Sequence, residues 1–226
     1  MNVEEVEAVL ARAEAAIAAG HQPDMRQFWR AVAAVKRDPA LIDRFADRIG
    51  AVDAAAFASW APIRVPLWLG TTLLSMGTVA GLILVALTYS LVEPWNGLAL
   101  IAGTVALAVT VHGLTHLIVG TIAGIRFIAW FATMRRPQPG LKTDYASYLR
   151  TPARGRAWMH ASGAIATKLV PFLVLPVGPI AGAPWWASVF VLAFGIGQLA
   201  TDLLWSVKSS DWKKFRREIS IARAGG

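Results

Sequence analysis

Between Arg64 and Glu93 the chain runs for 28 residues without a charged side chain. From Pro94 to Ile125 it runs for 32 more, interrupted only by His112 and His116. A hydrocarbon core of about 30 Å takes roughly 20 apolar residues in a helix, so each stretch is long enough to cross it. A third stretch, Ala157 to Thr201, is broken only by Lys168 and is too long for one crossing. Pro176, Gly178, Pro179, Gly182 and Pro184 mark a turn near its middle. The pattern predicts an all-α, polytopic helical membrane protein with four transmembrane helices, near 66–92, 95–124, 157–178 and 184–207.

Charge divides the chain further. Residues 1–60 carry 7 Lys/Arg against 9 Asp/Glu, a net of −2, whereas residues 61–226 carry 15 against 5, a net of +10. The basic residues gather in the connection 126–156 (Arg126, Arg135, Arg136, Lys142, Arg150, Arg154, Arg156) and in the tail (Lys208, Lys213, Lys214, Arg216, Arg217, Arg223). The connections near 93 and 180 have none. Lys and Arg in short loops mark the cytoplasmic side. Both termini and the middle connection are therefore expected there, with the chain in the cell inner membrane. Trp95, Trp185 and Trp186 suit the outer interface, and Trp60, Trp158 and Trp212 the inner one.

The N-terminus opens on an acidic, alanine-rich helical pattern, not a basic segment followed by an apolar one, so no cleavable signal peptide is expected. Residues 1–60 read as three or four short amphipathic helices forming a small cytoplasmic domain. Val3, Val6, Val9, Leu10 and Ala13 recur at helical spacing, as do Phe28, Trp29, Val32 and Val35, and Asp38-Pro39 fits a helix start. The domain either packs on itself or docks a partner. Residues 61–207 form the membrane domain. Residues 208–226 form a basic amphipathic tail with Trp212, Phe215, Ile219 and Ile221, expected to lie on the bilayer's anionic lipid surface. Ser209-Ser210-Asp211 reads as the cap of the tail helix. The positive charge is thus directed at lipid, and no nucleic-acid partner is expected.

Ionisable groups inside spans are costly and mark bundle interiors or functional sites. This chain has His112, His116, His160, Lys168 and Asp202. His112 and His116 are four apart, which puts them on one helical face. His160 and Asp202 fall in the same half of the bilayer. With no cysteine in the chain, a metal has only nitrogen and oxygen ligands available, and two or three His with one carboxylate suit zinc. Two other arrangements use the same residues: a purely structural histidine network, and a Lys168–Asp202 ion pair that takes Asp202 away from the metal. Gln198, one turn before Asp202, is placed to orient it.

The order and content of these segments resemble the site-2 protease family of intramembrane zinc metalloproteases. "HGLTHLIVGTIAGIRF" (112–127) is similar to the family's HExxH helix. "ASGAIATKLVPFLV" (161–174) resembles its small-residue helix, and "QLATDLLWSVKSSDWKKF" (198–215) falls where the family supplies an aspartate ligand. The connection containing "RPQPGLKTDYASYL" stands where the family places a membrane-lying segment that guides substrate. The resemblance covers residues 66–215 and implies His112, His116 and Asp202 as zinc ligands. Ala164 replaces the family's Pro, Thr167 its Asn and Leu203 its Gly. Gly113 stands where the family carries its catalytic Glu. General acid–base assistance is worth about 10²–10⁴-fold, so the resemblance implies a zinc-binding, non-proteolytic membrane protein that binds or regulates a membrane-protein partner. His160 is either a further ligand, closing the site as His₃Asp, or a replacement base. An active intramembrane metalloprotease with a rearranged base, His160 or Asp144, is the first alternative. A b-type haem protein ligated by His112 or His116 with His160 is the second.

Overall fold

The computed structural model describes residues 1–133, 136–204 and 210–224. The expected roles of Arg135, Lys208 and Ser209, and the end of the fourth expected span at 207, lie outside the described residues. The chain is mostly helical and divides into two compact units. One takes in 1–66, 120–156 and 217–226, the other 67–119 and 157–216.

The first unit begins with α1 (Val3–Ala18), α2 (Met25–Val35) and α3 (Pro39–Trp60). Each starts where side-chain chemistry supplies the unpaired amides of a first turn. Asn2 and Glu5 form a reciprocal capping box on α1. Asp24 accepts from the amides of Arg26 and Gln27, and Asp38 from Ala40, with Pro39 in the first turn of α3. Gly20, at φ 74°, ends α1 in the left-handed region, where the amide of His21 returns to the Ala16 carbonyl at 2.8 Å. The apolar stripes face inward as their spacing predicts. Val6, Leu10, Phe28, Val32, Phe45 and Ile49 pack with Leu149 in one core, and each such side chain contributes about 1.5–3 kcal/mol by leaving water.

This unit is not confined to residues 1–60, and the chain is not purely α-helical. β1 (Ile63–Pro66), β2 (Phe127–Thr133) and β3 (Arg136–Thr143) form an antiparallel sheet in the order β1-β2-β3, pairing Val65 with Trp130 and Trp130 with Leu141. Pro139 is tolerated because β3 is an edge strand. The short α6 (Tyr145–Arg150) brings Leu149 to the core. The middle connection thus folds with the N-terminal helices as a sheet and helix. Glu218, from the last ten residues, is fully buried in the same unit. It accepts from Lys36 Nζ and Arg156 Nε at 2.7 Å each and from the Tyr148 hydroxyl at 3.0 Å. Arg156 also donates to the carbonyls of Leu149 and Thr151, so this buried charge set is paired and largely hydrogen-bonded.

The second unit holds the apolar helices. Among the described residues, three are long and apolar enough to cross a membrane: Leu67–Leu87 (α4), Trp95–Ile122 (α5) and Ala153–Ile180. The last comprises α7 (Ala153–Val174) and α8 (Val177–Ile180). The fourth expected span is helical as α9 (Trp185–Leu204), and it is not among those three. Small residues let α4 and α5 approach. A Cβ at Gly81 would lie 2.9 Å from Leu107, and one at Gly103 2.8 Å from Val85. The Thr78 and Thr110 hydroxyls bond across the same pair at 2.9 Å. Close small-residue packing and interhelical hydroxyl bonds are what join helices where no hydrophobic force acts between them. Leu100, Leu107, Val174, Ala187 and Val191 form the unit's buried cluster. Leu73, Met76, Val79, Leu82 and Ile83 of α4 point outward and are exposed. The tail helix α10 (Asp211–Ala224) begins in this unit and ends in the other.

Candidate metal centre

His112 and His116 project from one face of α5, and Asp211 from the first turn of α10. One ligand atom from each lies within 4.8 Å of the others. The arrangement is tighter than that limit. The two Nε2 atoms are 3.3 Å apart, and Asp211 Oδ2 is 3.4 Å from each. With Zn–N and Zn–O bonds of about 2.0–2.1 Å, the edge of a zinc coordination tetrahedron is about 3.3–3.4 Å. The three atoms therefore form one triangular face of such a tetrahedron.

The other ring nitrogens set the tautomers. His116 Nδ1 is 2.6 Å from the Met159 carbonyl. A carbonyl only accepts, so Nδ1 carries the hydrogen and Nε2 presents a lone pair in the neutral ring. His112 Nδ1 is 2.9 Å from Thr167 Oγ1, and that hydroxyl already donates to the Gly163 carbonyl at 2.8 Å. Thr167 therefore accepts from His112, which leaves the second Nε2 free in the same way. Hydrogen-bonding the far ring nitrogen is how proteins aim a histidine at a metal. The third member is the carboxylate of Asp211, whose Oδ2 faces both Nε2 atoms. Its second oxygen, Oδ1, is held by Lys214 Nζ at 3.1 Å.

α7 supplies the support. Met159 and Thr167 each hold a ring, and Gly163 lets α7 lie against the pair, because a Cβ there would fall 2.4 Å from His116 Nε2. The expected ligands divide accordingly. His112 and His116 come together. Asp202 does not join them. It pairs with Lys168 Nζ at 2.5 Å and accepts from Trp212 Nε1 at 2.8 Å. The rival ion pair thus accounts for Asp202, as a mid-span lysine needs a counter-charge. His160 is half-buried on α7 and is not part of the converging group. Gln198 does not use its amide nitrogen to orient Asp202. That nitrogen is buried and has no hydrogen-bond partner among the described residues. Asp211, read from the sequence as part of a helix cap, is the carboxylate that converges. Ser210 takes the capping role, accepting from the Lys213 amide through both its hydroxyl (3.4 Å) and its carbonyl (3.1 Å). The available signal was Asp211's place in a first turn, where a carboxylate is favoured by the helix dipole, but nothing local ties it to residues a hundred positions away.

No protein-family model, curated protein or solved structure matches the chain.

Proposed function

We propose that this chain is an integral membrane protein that binds one zinc ion through His112, His116 and Asp211, and that it acts by holding or regulating a membrane-protein partner rather than by ordinary proteolysis. The observation that carries the reading is the triangle of two lone-pair nitrogens and a carboxylate oxygen, 3.3–3.4 Å on each edge. With both rings neutral and no cation between them, the three acceptors repel. Borderline N/N/O ligation in a tetrahedral outline favours zinc over the harder divalent ions, and the contraction suits a single ion rather than a haem. The resemblance to site-2 proteases draws support from the paired histidines on α5 and the small-residue face of α7 against them. The third ligand departs from it, coming after the last apolar helix instead of at Asp202. Gly113 has no side chain to activate bound water, which argues against peptide hydrolysis.

A second reading, a metalloenzyme with a rearranged base, draws on the ligand count. Three protein ligands with a fourth position for water or substrate are the usual catalytic set.

Residues 1–66, 120–156 and 217–226 fold as one unit, so they lie on one side of any membrane the chain crosses. Each intervening segment, 67–119 and 157–216, must then cross an even number of times. α4 and α5 make two crossings, and α7 with α9 make two more, giving four spans. The excess of Lys and Arg in the segments on that side makes it the cytoplasmic face of the inner membrane, with anionic lipid against the basic tail.

The test is metal analysis of protein purified in detergent and loaded with zinc. One equivalent is expected in the wild type and in D202A, and a loss in H116A and D211A. Sub-stoichiometric zinc in the wild type would remove the proposal. Loss in D202A with retention in D211A would restore Asp202 as the ligand. Substitution with Co²⁺ reports tetrahedral geometry through its visible absorption. Hydrolysis of a membrane-embedded peptide, abolished by H116A, would favour the second reading.

A further inference from the structure

We infer that the first turn of α10 is a metal-controlled latch over the histidine pair, closed by zinc and loosened by its removal. This rests on the zinc reading above and concerns how that site is regulated.

Two of the three ligands are built into α5, a helix long and apolar enough to cross a membrane. The third belongs to α10, a polar, strongly basic helix beyond the last apolar one. Within the second unit, three side chains hold its first turns. Asp211 meets His112 and His116, Trp212 Nε1 donates to Asp202, and the Phe215 ring lies edge-on to Trp158 at 5.7 Å. The contacts of Trp212 and Phe215 are indifferent to metal. That of Asp211 is not. With both rings neutral and no cation bound, its carboxylate lies 3.4 Å from two nitrogen lone pairs that Met159 and Thr167 hold in place, an arrangement that pushes the carboxylate away. A divalent cation at the centre reverses the sign, since all three atoms are then attracted to one charge. Lys214, bonded to Oδ1, leaves Oδ2 to the metal, so Asp211 binds through one oxygen and the helix is drawn down at one point.

With the latch closed the His112 and His116 side chains are only 30% and 13% exposed. With Asp211 withdrawn the pair loses the carboxylate facing it. The device therefore couples metal occupancy to access at the histidines. By linkage the coupling is reciprocal: the factor by which Asp211 strengthens zinc binding equals the factor by which zinc favours the docked turn.

The experiment is amide hydrogen exchange on the full chain in detergent, at one fixed pH, with excess Zn²⁺ or with a chelator. Zinc is expected to slow exchange at Lys214, Phe215 and Arg216 by at least about tenfold, the low end of the affinity cost of losing even an outer partner of a metal ligand. The slowing should match the fold-loss of zinc affinity in D211A. D211A loaded at saturating Zn²⁺ should show no slowing, and W212F should exchange faster than wild type in chelator. The wild-type comparison needs no variant to fold. One equivalent of bound zinc with unchanged exchange at 214–216 overturns the latch and leaves the metal site standing. Absence of zinc binding overturns both. Slowing that persists in zinc-loaded D211A overturns the assignment of the latch to Asp211.

Discussion

Gly163 and His116 are in contact so close that no larger residue fits between them: a Cβ on Gly163 would lie 2.4 Å from His116 Nε2 and 2.7 Å from Cε1. The ring cannot easily swing aside, because Nδ1 is bonded to the Met159 carbonyl at 2.6 Å. Ala favours a helix interior by about 1 kcal/mol over Gly, so G163A leaves α7 helical while displacing the nitrogen aimed at the metal. We expect zinc affinity to fall by about 10- to 100-fold, as for loss of the groups that orient a ligand, with unchanged far-ultraviolet circular dichroism. A G163A protein that binds zinc as the wild type does would show that Nε2 is not the ligand atom.

Thr167 offers a subtler perturbation. T167V keeps the shape and removes the oxygen that accepts from His112 Nδ1 at 2.9 Å. The imidazole then has no partner there to hold its tautomer, and zinc affinity is expected to drop about 10- to 100-fold. T167S retains the hydroxyl and should restore most of it. Competition titration against a chromogenic chelator measures both. Equal affinities for T167V and T167S would mean that the hydroxyl does not orient the ring.

How much of this could be read from the chain depends on how local the cause is. The uncharged runs are long enough to require buried or membrane helices whatever their neighbours, and α4, α5 and α7 follow from them. His112 and His116 are one turn apart on any helix, so their juxtaposition was legible. The Lys168–Asp202 pair was legible as one of two options, but the sequence could not choose, because the choice lies in where Asp211 comes to rest. Asp211 sits in a polar segment beside a serine and reads as a cap. Only the return of α10 to α5 brings it to the histidine pair. The sheet was missed for a similar reason. Ile63 pairs with Ala132 across two long apolar helices, and a four-residue strand ending in Pro66 carries almost no signal of its own. Lys36 and Glu218 are 182 positions apart, so no local pattern links them.

The Lys168–Asp202 pair should matter for stability and leave the zinc stoichiometry unchanged. D202N removes the counter-charge of a lysine whose side chain is 15% exposed. Breaking a buried pair costs about 3–5 kcal/mol. Because Asp202 is 36% exposed, water can recover part of that, and a loss of roughly 1–3 kcal/mol is expected. The double variant K168M/D202L removes both charges and should be more stable than D202N. Thermal unfolding in detergent orders the three proteins, and zinc stoichiometry should be one in all of them. A double variant no better than D202N would mean that Lys168 is not stranded by the loss of Asp202.

Glu218 should make the N-terminal helices acid-sensitive. Burial pushes its carboxyl up, but Lys36 and Arg156 pull it down to about 2, against an ordinary 4.5. A carboxyl whose folded pKa is depressed stabilises the fold fully above its unfolded value and loses that contribution as pH falls toward the folded one. The window is therefore pH 4.5 down to about 2, and the contribution lost across it is on the order of 3 kcal/mol. Lys36 acts at the other end. Burial lowers it to about 8, with Glu218 opposing the shift, so the unfolded chain binds the proton more tightly and stability from this group rises between pH 8 and 10.5. E218Q should remove the acid-dependent part and, by leaving Arg156 and Lys36 without their carboxylate, cost about 3–5 kcal/mol at neutral pH. Hydrogen exchange at the core amides of α2 and α3, followed from pH 7 to 3, reads both effects. Protection in the wild type that does not weaken between pH 4.5 and 3, or that weakens equally in E218Q, would assign the acid sensitivity to another group.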